Sequence, residues 1–73
     1  MNSMIFRYYN RKFDGDISKA FIHVVRVVGD LAEAIDKGNR EQAKIHITEI
    51  AALMRFLADK YEFPLLENLE EIA

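Results

Sequence analysis

Apolar residues along this chain recur at the spacing of helices. Ile17, Ala20/Phe21, Val24, Val28, Leu31/Ala32 and Ile35 fall three or four apart, which aligns them on one side of a helix. Val25, Val27 and Ala34 add a second line and widen the apolar face. A face that wide predicts more than one packed neighbour. The run Val24-Val25-Arg26-Val27-Val28 is rich in β-branched residues, which favour sheets. It lies inside the longer helical pattern, however, and no other stretch offers it a partner strand. A helix from Asp16 or Ser18 to about Lys37 is therefore expected. Asp16 supplies an acceptor and negative charge at the positive end of the helix dipole.

The next segment is a tight turn, Lys37-Gly38-Asn39-Arg40. Gly38 suits the left-handed position that ends helices, where a β-carbon clashes. Asn39 then caps a second helix, with Gln42 at capping-box spacing. That helix runs to about Tyr61. Its main apolar line is Ala43, Ile47, Ile50, Met54, Leu57 and Tyr61, extended by Leu53 and Phe56. Phe63-Pro64 ends it, because proline restricts the residue before it. Leu65, Leu66, Leu69 and Ile72 predict a short amphipathic C-terminal helix, with Glu67, Glu70 and Glu71 on its wet side. Two long helices joined so briefly must lie roughly antiparallel. The expected fold class is all-α: an antiparallel helical hairpin with a short C-terminal helix, dimerising into a four-helix bundle.

Residues 1–15 form an N-terminal aromatic arm, and residues 16–73 the helical domain. Ser3 caps a short helix in the arm, which places Ile5, Tyr8 and Tyr9 on one side. The arm is expected to pack its rings over the helix ends. Its alternating bases and aromatics also suit single-stranded nucleic acid, whose bases stack on rings. The charge balance argues against that. Ten basic and twelve acidic residues leave a net charge of -2, whereas nucleic-acid binding calls for a strong positive field.

Composition bounds the rest. Seventy-three residues make one small domain, and a chain of this size buries only about 60% of its unfolded surface. There is no cysteine to staple it. Yet 51% of the residues are hydrophobic, so self-association into a homodimer or higher homo-oligomer is expected to complete the core. No secretory signal and no apolar run near the roughly 20 residues of a membrane span are visible, which predicts a cytoplasmic protein with no membrane partner.

One constellation of acids offers chemistry. Asp30 and Glu33 share a helix face, and Glu49 lies on the partner helix at a level that meets them. Three carboxylates between helices suit a hard cation such as magnesium. Each acid also has an ordinary partner at helical spacing: Asp30 with Arg26, Glu33 with Lys37, Glu49 with His46. His23 and His46, one per helix, read as partly buried or surface histidines. Ser3 and Ser18 read as caps, and no glycine-rich phosphate loop is present.

Gly29-Asp30-Leu31-Ala32-Glu33-Ala34-Ile35, the short turn, Glu49-Ile50-Ala51 and Leu57-Ala58-Asp59 together resemble the MazG family, over about residues 18–70. These are all-α nucleoside triphosphate pyrophosphohydrolases. The resemblance implies a magnesium site from Glu-x-x-Glu on the first helix and Glu-x-x-Asp on the next. It aligns the first pair with Val27 and Asp30, and the second with Glu49 and Ala52. Asp30 is a conservative replacement and Glu49 matches, but Val27 and Ala52 are apolar where the family has carboxylates. The paired loss implies reduced or lost catalysis in a nucleotide-binding or structural module. The alternatives are an active pyrophosphohydrolase with magnesium on Asp30, Glu33 and Glu49, and a non-enzymatic dimerisation or adaptor module.

Overall fold

The computed structural model describes residues 3–62. Within them the chain is all-helical, with three helices and no strand. They are α1 (Met4–Lys12), α2 (Ile17–Asp36) and α3 (Arg40–Tyr61). None is long and apolar enough to cross a membrane. The expected C-terminal helix lies outside the described residues.

Each helix starts where a side-chain acceptor meets free backbone N–H groups. Ser3 Oγ accepts from Phe6 N at 3.1 Å. Asp16 Oδ1 accepts from both Ser18 N and Lys19 N, at 2.8 and 3.2 Å. Asn39 Oδ1 accepts from Gln42 N at 3.1 Å. Gly38, at φ 68°, ends α2 in the left-handed region. The end of α3 is less orthodox: Glu62 caps it at φ 61°, a conformation that strains a residue with a β-carbon.

The core centres on Leu53 and Phe56 of α3, both fully buried. Ala20, Val24 and Val27 of α2 pack against them, with Phe13 from the turn after α1. Phe56 is ringed by aromatics, with Phe6, Tyr9 and Phe13 centroids at 5.4, 5.9 and 6.3 Å. The arm is thus part of the core, through residues 6, 9 and 13. Ile5 and Tyr8 stay exposed, so the inward line of α1 is one residue round from the expected Ile5-Tyr8-Tyr9 line. Three rings converging on Phe56 bury more apolar area than that line does.

The long helices show a similar rotation. On α3, Ile47 and Tyr61 are exposed, whereas Leu53 and Phe56, expected only to extend the line, hold its centre. On α2 the wide apolar face divides. Ala20, Val24, Val27 and Ala34 are buried, while Phe21, Ile22, Val25, Val28 and Ile35 are 47–63% exposed. One side of α2 meets α3, and the other stands open.

Candidate functional site

Two clusters lie along α2 and α3. The first is built around Glu49. His23 of α2 and His46 of α3 flank its carboxylate: His23 Nε2 is 3.3 Å from Oε2, and His46 Nδ1 is 3.6 Å from Oε1. The His23 contact is within hydrogen-bond reach and joins the two helices. The His46 contact is not, so His46 Nδ1 is buried without a hydrogen-bond partner among the described residues. Both imidazoles are about one-fifth exposed, and Glu49 about one-third. The Phe13 ring lies 5.4 Å from the His23 ring and closes one side. From α1, the Tyr9 phenol is held above its ordinary pKa, first by burial and then by the negative charges of Glu49 and Tyr8. The cluster sets one carboxylate between two imidazoles, and its His23–Glu49 bond ties α2 to α3.

The second cluster sits where α2 turns into α3. Asp30, Glu33, Lys37, Asn39, Gln42 and His46 line a cavity of about 190 Å³. Lys37 Nζ donates to Glu33 Oε1 at 2.9 Å, one turn apart on the helix. That bond, with the attraction of the two charges, lowers the Glu33 pKa and raises that of Lys37. Asp30 makes no ion pair among the described residues, and the expected pairing with Arg26 does not form. At 190 Å³ the cavity is below the roughly 300–1,000 Å³ of pockets that enclose drug-sized ligands.

The structure therefore brings Asp30 and Glu33 together at the turn, and sets Glu49 beside His23. Among the described residues no group of three or more histidines, aspartates or glutamates is placed to hold a metal ion. Val27, the first position where the resemblance implies a carboxylate, is 3% exposed within the core. Ala52, at the second, is half-buried. Asp30 and Glu33 are the two acids that line the cavity, while Glu49 lies at His23 instead.

The His23–Glu49 contact escaped the sequence reading because the two residues are 26 apart, and nothing local links them. Its only sequence signal is the short turn. Folding back at Gly38 sets Glu49 level with Val27, one turn from His23, a distance two side chains span. The chain matches no protein-family model, no curated protein and no solved structure.

Proposed function

We propose that this chain is a MazG-like helical protein, related to the nucleoside triphosphate pyrophosphohydrolases, in which catalysis is reduced or lost. It acts as a self-associating structural module: an antiparallel helical hairpin, with a C-terminal helix, that pairs with a second copy in a four-helix bundle. The observation that carries this reading is the burial of Val27. The MazG alignment puts a metal-binding carboxylate there, but the side chain is packed with Leu53 and Phe56 in the apolar core. A charge at that position has no water and no partner. Glu49, the matching acid, is occupied by His23, which also supports a structural role. The open side of α2 supports self-association.

The test is pyrophosphate release from a panel of ribo- and deoxynucleoside triphosphates, with magnesium and with manganese. Asp30→Asn and Glu49→Gln proteins serve as controls for contaminating enzymes. No turnover above those controls is expected. Turnover that both substitutions abolish overturns the proposal, in favour of a pyrophosphohydrolase using Asp30, Glu33 and Glu49.

A further inference from the structure

We infer that α2 is the seam of a symmetric dimer, in which two copies pair antiparallel about Val28 and each Ile35 enters a groove at the start of the partner's α2. This inference deepens the self-association part of the proposed function and rests on that part alone.

Phe21, Val25, Val28, Ala32 and Ile35 are spaced four, three, four and three apart. That is the repeat of a coiled-coil seam, running nearly the whole length of α2. All five are exposed in the single chain. No charged side chain interrupts the stripe.

Charge selects the occupant and its direction. Residues 17–26 of α2 carry Lys19 and Arg26 and no acid. Residues 27–36 carry Asp30, Glu33 and Asp36 and no base. A second copy running antiparallel sets each basic half beside an acidic half. A parallel copy sets like against like. With the two-fold axis at Val28, Arg26 lies level with Asp30 of the partner, and Phe21 level with the partner's Ile35.

The shapes agree with that register. Near Phe21 the surface opens into a groove of about 530 Å³, lined by Ile17, Ser18, Phe21, Ile22, Leu57 and Tyr61. At the other end Ile35 projects, 63% exposed. The two-fold axis brings each Ile35 to the other copy's groove, so one surface supplies both knob and hole, as a symmetric interface requires. Gly29 gives independent support. A β-carbon placed on it meets nothing within 4 Å in the single chain. Glycine weakens a helix interior, and among the described residues no contact calls for it. Beside Val25 and Val28 on the open side, it lets another helix backbone approach closely.

The sequence has no cysteine, so introduced thiols report the pairing cleanly. Val28→Cys, on the axis, is expected to oxidise to a covalent dimer. Phe21→Cys mixed with Ile35→Cys is expected to give a covalent heterodimer. Ile35→Cys alone is expected to stay reduced, because antiparallel pairing separates its two copies by about 21 Å along the helix axis, far beyond disulfide reach. Val28→Glu is expected to shift the sedimenting species from dimer to monomer with helical circular dichroism retained.

Efficient self-linking of Ile35→Cys shows a parallel seam and overturns the inference while leaving self-association standing. A wild-type monomer at micromolar concentration overturns both, with the chain's own residues 63–73 as the remaining cover for the groove. Nucleotide turnover bears on the loss of catalysis and leaves the pairing untouched.

Discussion

His23 Nε2 lies 3.3 Å from Glu49 Oε2, and this one contact binds α2 to α3 through the acid that matches the MazG pattern without replacement. The same carboxylate acts on α1, where its charge helps to raise the Tyr9 pKa.

That coupling is measurable. Burial is the larger cause of the Tyr9 shift and Glu49 the next. Glu49→Gln removes the second, so the Tyr9 pKa is expected to move down toward its ordinary value. Ultraviolet absorbance of the phenolate, assigned with a Tyr9→Phe control, follows it. Because the folded pKa is raised, the neutral phenol's contribution to stability is present below the unfolded value of about 10 and is lost as pH rises through the folded value. The substitution therefore narrows that alkaline loss. A Tyr9 titration unchanged by Glu49→Gln contradicts the coupling.

Introducing the two carboxylates that the MazG resemblance implies is expected to give two different results. Val27→Glu buries a charge in the core beside Leu53 and Phe56, and is expected to cost about 3 kcal/mol or more, enough to unfold a domain of this size. Ala52→Asp, at a half-buried position, is expected to leave the chain folded. Thermal melts with and without magnesium check both. Magnesium that stabilises the double variant above wild type shows that the four acids can form a metal site.

Phe56 is the centre of the aromatic ring cluster and is fully buried. Phe56→Ala is expected to cost about 3–5 kcal/mol, most of the stability such a small domain has. Because Phe6, Tyr9 and Phe13 all lean on that ring, α1 is expected to detach first. Hydrogen exchange resolves this as faster exchange at residues 6–12 than in α2. Equal loss in all three helices shows instead that the arm and the long helices unfold as one unit.

Asp16 caps α2 with two hydrogen bonds, so Asp16→Ala is expected to cost about 1–2 kcal/mol. Asp16→Asn keeps the acceptor and is expected to recover most of it. Urea denaturation distinguishes the two variants. Equal destabilisation by both assigns the effect to the charge at the helix start.

The bounds of the long helices were legible in the sequence because their signals are local. Asp16, Gly38 and Asn39 act on backbone groups within a few residues, and each sits where its chemistry calls for it. The partners of the acids were legible only in part. The Glu33–Lys37 pair forms as its spacing predicts, while Asp30 and Arg26, equally spaced, do not pair. Surface pairs of this kind are weak, and small differences in side-chain placement decide them.

The sequence by itself determined that the chain is helical, where α2 and α3 begin and end, and that α2 has more apolar surface than one neighbour can cover. Periodicity and capping act over a few residues and need no tertiary contact. Only the tertiary structure decided which part of that surface is core. Val27 and Val28 are adjacent and chemically identical, yet one is buried and the other open. The rotation of α2 against α3, set by Leu53, Phe56 and the three rings from the first thirteen residues, makes that choice. It also turns Val27, which the MazG resemblance aligns with a carboxylate, inward into the apolar core.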